Sequence, residues 1–164
     1  MYSLASSGDL LTQGDILAAC PINEWDLSDD ISNRSWSISQ AYHRVLVLTQ
    51  ACDLMNSKAQ RVQIAVVHDV EKMVELGVLS RATIRDHVRL HRVFGMYFLP
   101  QWEGHLPESI VDLRDLHTVP LRMLQELADK VDRVRVMTPY REHLAQHFAV
   151  TYSRIALPEP YQTK

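Results

Sequence analysis

Histidines, cysteines, arginines and tryptophans carry most of the chemistry this chain could perform, and their spacing suggests several distinct uses. His87 with His91, and His143 with His147, each stand four residues apart. That spacing puts two imidazoles on one helical face, where they can hold two corners of a zinc site. Neither pair has a third ligand or the H-E-x-x-H arrangement, and both suit solvated histidines among Arg85, Arg89 and Arg141, so no metal or cofactor is expected. Cys52-Asp53 follows an apolar run, and a thiol at a strand end near a histidine can be activated as a nucleophile. Flanked by Ala51 and Leu54, Cys52 also reads as a small core residue and Asp53 as a turn former. Arg81, Arg85, Arg89 and Arg92 recur at spacings of 4, 4 and 3. On one helix from Ser80 to Arg92 they would share a face able to meet phosphates, an acidic partner or solvent. Trp25, Trp36 and Trp102 fall in segments read as loops, where such rings stack on bases or anchor a protein interface.

The elements that must position these groups are written in apolar runs and breakers. Asp15 to Cys20 reads as a strand after Gly14, stopped by Pro21, and a long polar loop follows from Asn23 to Gln40. Val45 to Leu48 and Arg61 to Val67 are apolar runs of strand length, as expected for strands buried on both faces. Gln50 to Leu54 between them is a turn or short helix. Val70 to Arg92 has mixed spacings of 3 and 4 and reads as two short helices, the second capped by Ser80. Strands follow at Val93 to Leu99, Ser109 to Leu113 and Val131 to Val136, with a helix at Leu121 to Ala128. Thr138 as cap and Pro139 at the first turn open a last helix, running to Leu157, with Leu144, Phe148, Thr151, Tyr152 and Ile155 as its apolar stripe.

Composition narrows the class of molecule. At 164 residues the chain can bury a core without disulfides, and it is read as a single domain, 1–164, of α+β class. Only two cysteines occur, Cys20 and Cys52, which suits a reducing compartment. No leader or membrane-spanning run is evident, so a soluble, cytoplasmic protein with no membrane partner is expected. A net charge of −3 argues against coating nucleic acid through a broad basic surface, while leaving room for a local basic groove.

Taken in order, Gly14-Asp15-Ile16-Leu17, the run Arg44 to Gln50, Val62 to Asp69, Leu116-His117-Thr118-Val119 and Met137-Thr138-Pro139 resemble the successive landmarks of the PemK and MazF toxin ribonucleases. The resemblance implies a small SH3-like β-barrel with a closing amphipathic C-terminal helix, and this chain departs from the family in an enlarged stretch from Asp69 to Arg92, read as a helical insert. In that family a strand arginine and a strand-end threonine serve RNA cleavage. Arg44 matches the arginine, and His68 stands in the threonine's place. Metal-independent cleavage needs a base, an acid and a cation, and Arg44 and His68 could supply the cation and a proton carrier. The resemblance further implies a homodimer and an antitoxin partner. The function expected is therefore an RNA-directed, toxin-type endoribonuclease or a catalytically degenerate RNA-binding relative. Its alternative is a non-enzymatic protein-interaction or regulatory module of a bacterial defence or stress system. Cys52 and Asp53 remain further catalytic candidates, with Trp25, Trp36 and the four arginines as candidates for binding RNA or a protein.

Overall fold

A computed structural model describes residues 1–27, 36–56 and 58–153. In chain order the elements are β1 (Tyr2–Ala5), β2 (Asp15–Leu27), β3 (Trp36–Val47), α1 (Ala51–Met55), β4 (Arg61–Asp69), α2 (Val70–Glu75) and α3 (Arg81–Thr83). After a π-helical turn (Ile84–Val88) come β5 (Met96–Leu99), β6 (Ser109–Pro120), α4 (Leu121–Ala128), β7 (Arg133–Val136) and α5 (Tyr140–Tyr152). Among the described residues, seven strands join one antiparallel sheet in the order β1-β7-β2-β3-β4-β6-β5. The α+β class holds. The sheet is open, however, rather than the closed barrel expected. Its edges β1 and β5 are joined near Pro100 by side chains: Tyr2 donates to the Pro100 carbonyl at 2.9 Å and stacks on Trp102 at 5.7 Å.

Both faces of the central strands are buried, which explains their continuous apolar runs. Val45, Val47, Ile64 and Val66 face a core sealed by Leu124 and Ala128 of α4. Leu46, Ala65 and Val67 face the opposite core with Leu113, Val136 and Leu144 of α5. A third cluster packs Met73, Ile84 and Val88 onto Met96, Phe98 and Ile110 at the β5 side. Each fully buried valine, leucine, isoleucine, methionine or phenylalanine among them contributes about 1.5–3 kcal/mol. Gly14 opens β2 at φ +87, where an added Cβ would lie 3.1 Å from the Val136 carbonyl. Glycine is required there both by the left-handed backbone and by the close approach of β7.

Several expected boundaries move. Asn23 to Gln40 is not a long loop: its described ends pair in a hairpin, with Trp25 opposite Ile38 and Asn23 opposite Gln40. Pro21 does not stop β2, because β7 pairs only with Asp15 and Ile16 and leaves an open side where proline's missing N–H costs no ladder bond. β1, whose residues carried no strand signal, exists by pairing with β7. β6 runs on from the expected Ser109 to Leu113 as far as Pro120, held across its length by β4. Ser80 caps α3 as expected, its hydroxyl accepting from Thr83 N at 3.0 Å. Thr138 does not cap α5; its hydroxyl donates instead to Glu142 at 3.0 Å. Ile155 and the expected helix end at Leu157 lie outside the described residues.

Candidate functional site

The antiparallel pairing of β3 with β4 sets Val45 opposite Val66, and the residues that follow at this end of the sheet open into a cleft of about 610 Å³. Arg44 and His68 both line it, together with Tyr42, His43, Lys72 and Asp112. Its wall is shaped by an irregularity in β2. Register shifts between Leu17 and Cys20, and Ala19 sits at φ 55, a left-handed conformation that costs a non-glycine residue free energy. The bulge turns the exposed Ala18 and Ala19 toward the cleft and interrupts β2–β3 pairing beside Arg44.

Charges of both signs meet there. Burial works to raise the Asp112 carboxyl, but hydrogen bonds and charge from Arg114 at 2.9 Å, with a smaller contribution from His68, hold it below the ordinary carboxylate range. Asp112 is therefore an anion close enough to His68 to interact with it electrostatically. His43 pairs with Glu24 across the hairpin at 2.8 Å. Arg44 is half-buried and Lys72 is exposed on α2. Together the groups offer two permanent cations and a titratable imidazole around a space large enough for a nucleotide-sized anion.

Cys52 and Asp53 do not join this site. They lie on α1, beyond the other end of the β3–β4 pair, and Cys52 Sγ donates to Gln50 at 3.7 Å and to Asp53 at 3.8 Å. No histidine stands among these partners, so the Cys52 thiol lacks the neighbouring base that the nucleophile reading requires. Cys20 is fully buried and burial pushes its thiol up to about 11, so it stays protonated and unreactive. Both cysteines are free.

The arginine stripe is broken by backbone geometry. Arg89 N bonds to the Ile84 carbonyl five residues back at 2.9 Å, and the segment ends at His91 with φ 55, so Ser80 to Arg92 is not one α-helix. Arg81, Arg85 and Arg89 still line a common shallow groove, without Arg92. Each already has a partner: Arg81 pairs with Glu71, Arg85 with Asp86 at 2.7 Å, and Arg89 lies 5.0 Å over the Phe98 ring. Trp25 is on a strand and is 66% exposed, whereas Trp102 is half-buried against Tyr2. Trp36 begins β3, and its side chain lies outside what is described.

His43, Lys72 and Asp112 were missing from the sequence reading. His43 had a weak signal in its position beside Arg44, but Asp112 reaches the cleft only because β4 pairs Val66 with it. The histidines regroup as well: His91 leaves His87 and meets both His143 and His147, with ring centroids at 4.7 and 5.7 Å. Among the described residues no group of three His, Cys, Asp or Glu side chains is arranged to hold a metal ion, and no helix is long and apolar enough to cross a membrane. No known family model and no curated protein matches this chain, so its functional assignment rests on the residues of the cleft.

Proposed function

We propose that the cleft at Arg44 and His68 binds an RNA phosphodiester and that the chain is a divergent relative of the PemK and MazF toxins, its open sheet a variant of their SH3-like barrel. One observation carries the reading. The arginine and the histidine that occupy the resemblance's two functional positions line the same cleft, from adjacent strands. Arg44 and Lys72 provide cations for the phosphate, and His68, beside the Asp112 carboxylate, provides the proton carrier. In this reading the 2′-oxygen bonds to phosphorus as His68 takes its proton, and the phosphorus to 5′-oxygen bond breaks. The leaving oxygen collects a proton from water at the mouth.

The test is incubation of the purified protein with end-labelled single-stranded RNA in EDTA. Cleavage falling 100-fold or more in both Arg44→Ala and His68→Ala, about the worth of one general acid–base group, supports the proposal. Cleavage unchanged by His68→Ala removes His68 from the mechanism, and absence of both cleavage and binding sinks the reading. A second reading, a protein-interaction or regulatory module, is favoured by the β2–β3 hairpin. Trp25, Ile38 and Tyr42 are 66%, 57% and 66% exposed and share one face of it by register. A stable stoichiometric complex lost on Trp25→Ala, with no RNA cleavage, would select that reading.

A further inference from the structure

Outside the cleft, the densest group of titratable side chains lies where α5 crosses the segment before β5. The His91 ring sits edge-on to His143 at 4.7 Å and tilted to His147 at 5.7 Å, and all three rings surround Tyr97 at 5.4 to 5.7 Å. Two ring nitrogens, His91 Nδ1 and His147 Nε2, are shut away from solvent with no hydrogen-bond partner. Buried nitrogens without partners are uncommon in a folded chain. These two can remain so only while their rings are neutral, because a protonated nitrogen would need an acceptor that is not there.

Among the described residues, the groups facing the cluster provide no compensating negative charge. From β5 comes the Tyr97 phenol, which burial pushes up to about 12; its hydroxyl lies 3.3 Å from His143 Nδ1 and 3.4 Å from the Tyr140 carbonyl. From the preceding segment come Phe94 and the Val93 carbonyl, which bonds to His147. On α5 itself, Arg141 packs against Gly14 and pairs with Glu142 at 2.9 Å. His87, Arg89 and Arg92 on the other flank are exposed. Burial lowers His91, and its neighbour His143 lowers it further; burial and both other histidines lower His147, against an opposing pull from Val93.

We propose that His91, His143 and His147 form a proton-sensitive clasp that holds α5 against the sheet near neutral pH and loosens it in mild acid. Neutral rings pack as aromatic surfaces around Tyr97. His143 is already exposed. Adding a proton to His91 Nδ1 or His147 Nε2, by contrast, leaves an N–H shut away from water with no acceptor. The cheapest relief is for α5 to lift and open these two nitrogens to water. Leu144 and the bond from Tyr152 Oη to the Leu113 carbonyl at 2.7 Å resist that movement, so the helix loosens before the sheet does.

Amide hydrogen exchange on the full chain at pH 7.5 and 5.5, corrected for the intrinsic exchange rate, tests this. The opening constant of residues 140–152 should rise by about threefold or more on acidification, while β4 changes less. The double variant His91→Asn/His147→Gln, in which asparagine tolerates the left-handed backbone at 91, should lose most of that rise. Equal α5 opening at both pH values, or a full rise in the double variant, overturns the proposal. If that variant does not fold, ring titration of the wild type by NMR decides: titration of His91 and His147 below the ordinary value near 6.5 supports the clasp, and titration at or above it overturns it.

Discussion

Asp15 and His91 each centre a group of buried polar atoms, and the two groups are satisfied to opposite degrees. Asp15 is fully buried and accepts from Arg133 Nε at 2.8 Å, Arg135 Nε at 2.5 Å and Thr12 N at 3.1 Å. Arg133, itself 3% exposed, spends every donor it has: one on Asp15 and the others on the carbonyls of Ser6, Ala128, Asp9 and Leu10. That network ties the N-terminal turn, the start of β2, the end of α4 and β7 into one piece. The histidine cluster instead leaves two buried nitrogens bare and, among the described residues, has no counter-charge. A closed network fixes one arrangement, whereas a cluster with unmet hydrogen bonds keeps a second state within reach.

The largest effect should come from opening the closed network. Arg133→Ala takes a buried cation and one hydrogen bond from the Asp15 carboxylate and removes the donors to four backbone carbonyls, and we expect a loss of about 3–5 kcal/mol in urea unfolding. A loss under about 1 kcal/mol would show that Arg135 alone satisfies Asp15 and would erase the contrast. On the α5 side, Leu144→Ala removes a side chain that is 1% exposed. It should cost about 3 kcal/mol, with exchange protection falling first in α5.

Acidification sharpens the comparison more gently. His91 and His147 have folded pKa values below their unfolded ones, so the unfolded chain binds more protons and stability rises with pH. Their contribution is complete above the ordinary value near 6.5 and is lost as pH falls through and below it. The thermal midpoint should therefore drop from pH 7.5 to 5.5, and His147→Gln should shrink that part of the drop. The smallest effect belongs to a pair in neither cluster. Arg122 and Glu126 face solvent on α4 at 3.0 Å, and Arg122→Ala should change stability by less than about 0.5 kcal/mol.

How far these regions could be read in advance follows from how local their determinants are. The runs Val45 to Leu48 and Val62 to Val67, the helix at Leu121 to Ala128 and the cap at Ser80 are fixed by neighbouring residues, and they form where expected. Arg44 and His68 stood out because they occupy the two functional positions of the resemblance to the PemK and MazF landmarks, before any partner was known. Asp112 and Lys72 did not, because nothing in their local pattern marks them as neighbours of His68.

Sequence by itself determined the α+β class, the two-faced burial of the central strands and the candidate residues Arg44 and His68. Tertiary structure alone decided that β1 is a strand, that Asn23 and Gln40 pair instead of looping, and that the sheet stays open with Tyr2 against Trp102. It also separated His91 from His87 and joined it to α5. The physical reason is range. Helix periodicity and capping act over a few residues, whereas strand register, a π turn that rotates the side chains after it, and the approach of α5 to β5 depend on partners dozens of residues away.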